Sequence, residues 1–167
     1  MSKFYAGIGS RETPIHILKE MTKIAEFLEK EGFILRSGAA EGADSAFEEG
    51  VNDEKNKEIF LPWEKFNKNG SILFSPPTWS YLLASFYHPN WENLKIQVKR
   101  LMARNMCQIL GFNGNEKVEF VICFTLDGKD SGGTGQALRV ARNLKIPILN
   151  LYKENTLRAL KNRCKIV

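Results

Sequence analysis

With 167 residues, of which 43% are hydrophobic and 26% charged, the chain has the size and composition of one globular domain spanning residues 1–167, which excludes a disordered or fibrous protein. The net charge is +5, yet from Arg139 onward eight basic residues face one acid, so the first 138 residues carry −2 and the surplus forms a solvated basic C-terminal end. Three cysteines and two histidines without ligand spacing, and no apolar run of membrane length, exclude a disulfide framework, a multi-histidine metal centre and a membrane span.

In chain order, Phe4–Ile8 is a short apolar strand that runs into the turn Gly7-Ile8-Gly9-Ser10-Arg11. Thr13-Pro14 reads as an N-cap followed by proline at the first helical position. Ile17, Leu18, Met21, Ile24, Ala25 and Leu28 then mark one face of an amphipathic helix, which Gly32 stops. Phe33–Leu35 is a second strand, a helix is predicted from about Ala43 to Gly50, and Glu58–Leu61 is a third strand closed by Pro62. Residues 63–90 are irregular and rich in aromatics; a short helix is expected within Ser80–Tyr87, with a mobile stretch before it. A longer helix is predicted from about Asn93 to Leu110, ended by Gly111. Val118–Thr125 is apolar enough to be a central strand buried on both faces. The loop Ser131–Gly135 leads into a helix Gln136–Leu144, followed by a strand Ile146–Leu151 and a last helix Thr156–Lys161.

Strands alternating with helices predict an α/β fold, a doubly wound, mostly parallel sheet of Rossmann-like type with helices on both faces. Ligands of such sheets bind at the carboxyl ends of the strands, where the strand order reverses. Three glycine-containing loops follow directly on strands: Gly7–Arg11, Ser37–Asp44 (SGAAEGAD) and Asp130–Gln136 (DSGGTGQ). Glycines let backbone approach a ligand closely, and the third loop opens a helix, whose N-terminal N–H groups favour phosphate. There is no Walker-type loop, and the first turn lacks the third glycine of a dinucleotide fingerprint. ATP hydrolysis of the Walker kind and ordinary dehydrogenase chemistry are therefore disfavoured.

The motifs YAGIGS (Tyr5–Ser10), SGAAEGAD (Ser37–Asp44), MARN (Met102–Asn105) and GGTGQA (Gly132–Ala137) occur in an order that resembles a Rossmann-like superfamily. It contains DNA-processing protein A (DprA) and the LOG phosphoribohydrolases, and the overall spacing looks closest to small stand-alone DprA-like proteins of phages and bacteria. The second loop resembles the DprA signature, and the third resembles the LOG glycine motif. Met102-Ala103-Arg104-Asn105 resembles the segment that supplies the LOG catalytic arginine. The resemblance spans about Phe4 to Leu151. It departs from LOG at one point, because Gln136 and Ala137 stand where those enzymes place a glutamate, and neither can act as a general base.

Candidate ligand-binding residues are thus Gly7, Gly9, Ser10, Arg11, Ser37, Gly38, Ala39, Asp44, Arg104, Asn105, Gly132, Gly133, Thr134, Gly135 and Gln136. If the protein is an enzyme, Arg104, Glu41 and Asp44 are the catalytic candidates; otherwise Asp44 is a helix N-terminal acid and Glu41 a solvated loop charge. Trp63, Trp79 and Trp91 could stack on a base, with at least two of the three expected simply to roof the core. Cys107, Cys123 and Cys164 read as structural, reduced thiols, as in a cytoplasmic protein. The expected partner is one small phosphorylated nucleotide-like molecule, sensed or sequestered by a homo-oligomer without metal or cofactor. Cleavage of the N-glycosidic bond of a nucleoside monophosphate, or binding of single-stranded DNA, are the alternatives; nucleic acid is not favoured by the charge, and no membrane is involved.

Overall fold

Alternating apolar runs and amphipathic helices resolve, in a computed structural model describing Met1–Val167, into a doubly wound Rossmann-like α/β fold. The strands are β1 (Lys3–Gly9), β2 (Phe33–Ser37), β3 (Lys57–Ile59), β4 (Phe120–Phe124) and β5 (Ile148–Asn150). All pairs are parallel, in the order β3-β2-β1-β4-β5. The helices are α1 (Ile15–Lys30), α2 (Ala43–Glu49), α3 (Thr78–Tyr87), α4 (Ile96–Leu110), α5 (Gly132–Asn143) and α6 (Glu154–Arg163). No helix is long and apolar enough to cross a membrane.

The strand period of two distributes the core over both faces of the sheet. Tyr5, Leu35, Ile122 and Phe124 face a cluster completed by Ile17, Met21 and Ile24 of α1 and Phe47 of α2. Phe4, Ala6, Ile8, Val121 and Cys123 face the opposite cluster, built with Ala84 of α3, Met106 and Ile109 of α4 and Leu138 of α5. Full burial of each large side chain is worth about 1.5–3 kcal/mol, far more than a single local propensity. These two clusters therefore fix which helix covers which face. Gly7 serves this packing: a Cβ there would lie 2.5 Å from Phe47 Cγ and 2.8 Å from Leu35 Cδ1.

Three of the boundaries that depart from the sequence reading bear on the site. Thr13 does not cap α1; its hydroxyl donates to Ser10 O at 2.7 Å and closes the turn after β1, which leaves Pro14 as the residue before the helix. The helix predicted from Asn93 starts at Ile96, because Leu94 and Lys95 are extended after a 3₁₀ turn at Trp91–Asn93. The helix predicted from Gln136 starts four residues earlier, at Gly132, so the third glycine loop is itself the first turn of α5. Glycine has poor helix propensity, which makes such a turn read as loop. The bond from Gly135 N–H to Ser131 O (3.0 Å) nonetheless closes it.

The sheet order places a switch point between β1 and β4. From there the chain winds outward to β2 and β3 on one side and to β5 on the other, leaving a crevice at the carboxyl ends of β1 and β4.

Candidate functional site

At that crevice lies a cleft of about 950 Å³. The loop after β1 is drawn into it by Ser10, whose N–H donates to Phe124 O (2.9 Å) and whose carbonyl accepts the N–H of Ala43 (3.3 Å). The turn leaves no room for side chains. A Cβ on Gly9 would stand 2.7 Å from Ala43 Cβ and 2.8 Å from Phe124 O, and one on Gly42, at φ +82°, would meet Arg11 Cα at 2.7 Å. Of the predicted ligand-binding residues, Gly9, Ser10, Arg11, Asp44, Arg104, Asn105, Gly132, Gly133 and Thr134 line the cleft, as does Glu41.

The remaining candidates are placed elsewhere, each with an evident structural task. Gly7 packs under Phe47. The Ser37 hydroxyl donates to Gly7 O at 2.6 Å. Gly38 offers its carbonyl to Arg104. Ala39, in left-handed backbone at φ +56°, accepts from Asn67 Nδ2 at 2.9 Å. Gly135 lies against Asp130 O. The Gln136 amide is engaged at both ends, donating to Ala84 O (2.8 Å) and accepting from Arg139 (2.8 Å), and it is fully buried.

Arg104 and Asn105 form the floor. Both are buried on α4. The Arg104 guanidinium donates to the carbonyls of Gly38 and of Phe60 (3.5 Å) and to Asn105 Oδ1 (3.0 Å), while Asn105 Nδ2 donates to Gly133 O (2.9 Å). Two adjacent helical residues thereby tie the loops after β2 and β3 to the first turn of α5. The bonds of Arg104 run through Nε and one terminal nitrogen.

Asp44, 3% exposed, is the buried carboxylate of the site. Burial pushes its carboxyl up to about 6, against the opposing pull of Arg104 and of the backbone N–H groups of Ala40, Gly9 and Gly38. The same burial pushes the Arg104 guanidinium down, with Asp44 opposing. Burial raises the Cys107 and Cys123 thiols to about 12, so neither is a nucleophile at neutral pH.

The far wall is the start of α5. Ser131 is extended and no side chain caps the helix; its hydroxyl donates instead to Asp127 Oδ1 at 2.7 Å. The N–H groups of Gly132, Gly133 and Thr134 therefore have no partner within the helix, and all three residues line the cleft. Nothing stands within 4 Å of a Cβ built on Gly132 or Gly133, so this part of the wall is bare backbone.

Sequence reasoning passed over Arg139, placed among the solvated C-terminal cations. It lines the cleft two turns into α5, bonded to Gln136 and to Asp130 O (3.4 Å), with a buried Nε that has no partner. Its position seven residues after Gly132, two turns along the same face of a helix beginning at the glycines, was the available signal. Phe66 and Asn67, also lining the cleft, come from the irregular segment, where no periodicity points to them.

No protein-family model matches the chain, and no curated protein matches it. Among solved structures it is similar to DNA processing protein A from Helicobacter pylori, described for its single-stranded DNA binding mode. The two share 19% identity at a TM-score of 0.58, over 89% of this chain and 64% of that one. The likeness shows a common fold. This chain spans a little under two thirds of the length of that protein.

Proposed function

We propose that the chain binds a small phosphorylated nucleotide or nucleotide derivative in this cleft, a phosphate resting on the first turn of α5. The observation that supports this reading best is the uncapped helix start facing the cleft, held in place by the bond from Asn105 to Gly133. Free N–H groups and the positive end of the helix dipole suit an anion. The charge balance suits a small one. Arg11, Arg104 and Arg139 share the cleft with Glu12, Glu41 and Asp44, and no basic residue beyond Arg139 lines it. Arg142, Arg158 and Lys161 are spent on Asp130, Glu154 and Glu20. The volume lies at the upper end of the roughly 300–1,000 Å³ of small-molecule sites, which leaves room for more than one nucleotide unit, as in a dinucleotide-like or cyclic signalling species.

Gly133→Ala tests the reading. The site has open space and Gly133 lies inside a helix, so alanine should stabilise the fold by about 0.5–1 kcal/mol in thermal unfolding. It should at the same time weaken binding of 5′-AMP about tenfold in calorimetry, because the methyl group stands where the phosphate approaches. A variant that is more stable and binds 5′-AMP as the wild type does would remove the helix start from the site.

A second reading is favoured by the fold likeness to a protein that binds single-stranded DNA. A strand laid across the same cleft would present one of its phosphates to α5. Single-stranded DNA binding should then fall steeply with salt, since each neutralised phosphate releases counterions at a slope of about −0.7 per contact. A mononucleotide held by one phosphate should show a slope below about 2. Anisotropy titrations of a labelled oligonucleotide, competed with 5′-AMP at several salt concentrations, distinguish the two.

A further inference from the structure

The aromatic residues of the irregular segment separate in the fold. Trp79 donates its indole N–H to Phe112 O (2.9 Å) and covers Gly114, and Trp91 packs against the α3–α4–α5 core under Lys99, 5.4 Å from its ring. Trp63 is different. It is half-buried, lines the cleft, and belongs to neither core cluster nor to the side chains packed on them. Core packing does not account for it.

Its position is nevertheless fixed. Its ring meets Phe66 edge-on at 5.2 Å and 89°, and Phe66 in turn carries the Arg104 guanidinium 5.6 Å from its ring. Either side of it, Leu61 N–H donates to Leu73 O (2.9 Å) and Asn67 reaches Ala39 O. Left-handed backbone at Lys65, Asn67 and Lys68 folds the segment tightly against the mouth. An indole braced edge-on by Phe66 at a cleft wall, and outside both core clusters, offers the apolar face that a flat heterocycle needs.

We propose that Trp63 is a base-stacking platform, so that the cleft takes a nucleobase at the Trp63–Phe66 wall and a phosphate at the Gly132–Thr134 wall. Arg104 and Asn105 separate the two ends, Arg104 touching Phe66 and Asn105 touching Gly133. The proposal rests on the reading that the cleft binds a nucleotide unit, and it adds which side chain distinguishes a nucleotide from a bare sugar phosphate.

Calorimetry with 5′-AMP and with ribose 5-phosphate tests it. The wild type should prefer 5′-AMP by about tenfold or more, the usual gain from stacking one base on an aromatic ring. Trp63→Ala should bring that ratio near one while retaining the ribose 5-phosphate affinity, and Trp63→Phe should keep most of the preference. In a Trp79→Phe, Trp91→Phe background, the remaining indole fluorescence should be quenched by 5′-AMP and not by ribose 5-phosphate. A base preference that survives Trp63→Ala, or a loss of both probes together in a folded variant, overturns the platform and leaves the phosphate site standing. Failure of the wild type to bind either probe overturns the nucleotide reading itself, and the platform with it.

Discussion

Arg104→Ala is expected to eliminate binding of 5′-AMP and to lower the free energy of unfolding by about 3 kcal/mol. The side chain is 5% exposed and donates to carbonyls on two other segments and to its neighbour Asn105, so its removal strands the buried carbonyl of Gly38 and takes from Asp44 the cation that acts on it. Losing the bond to Asn105 also frees the amide that positions Gly133, and the helix start loses its register with the other two loops. Arg104→Lys should restore little of this. Lysine brings a point charge with three donors on one nitrogen and cannot reproduce the planar fork that spans Gly38, Phe60 and Asn105. Urea unfolding and calorimetry on both variants check the prediction. An alanine variant of unchanged stability would show that the loops hold one another without the arginine.

Stability should depend on pH through Asp44. Its carboxyl titrates at about 6 in the folded protein and near its ordinary value of 3.8 when unfolded. Between those values the folded state binds the extra proton, so this group's contribution to stability is fully present below about pH 4 and is lost as pH rises through about 6. A shift of this size corresponds to about 3 kcal/mol. Asp44→Asn should flatten that slope in urea titrations between about pH 4 and about pH 7. Anion binding should move the same way, weakening as the ionised carboxylate comes to share Arg104 with the ligand. A slope identical in wild type and variant would assign the titration to another group.

The strand–helix alternation and the convergence of three glycine loops were legible because each is written locally, in a period of two or of 3.6 and in residues that break it. Burial on both faces made Val118–Thr125 recognisable as an inner strand, which the fold trims to Phe120–Phe124 beside β1 and β5. The division of the candidates between cleft and scaffold was not legible. Gly9 and Gly7 look alike in the chain, yet one turns the loop at the cleft and the other admits Phe47 beneath the sheet. Gln136 follows the glycines directly, and its amide turns away to serve Ala84 and Arg139.

The irregular segment 63–90 shows the same limit. Its aromatics form no period, so nothing local separates Trp63 from Trp79 and Trp91; Trp79 finds its acceptor 33 residues away at Phe112, and both Trp79 and Trp91 join a core cluster built from distant elements. What the sequence determined by itself is the doubly wound architecture and the edge of the sheet at which the cleft opens, since apolar period and turn chemistry act over a few residues. Tertiary structure decided the rest. Arg104 and Asn105 became a floor, the glycines of the third loop became an open helix start, and Arg139 entered the cleft, because each role depends on atoms brought together from strands far apart in the chain.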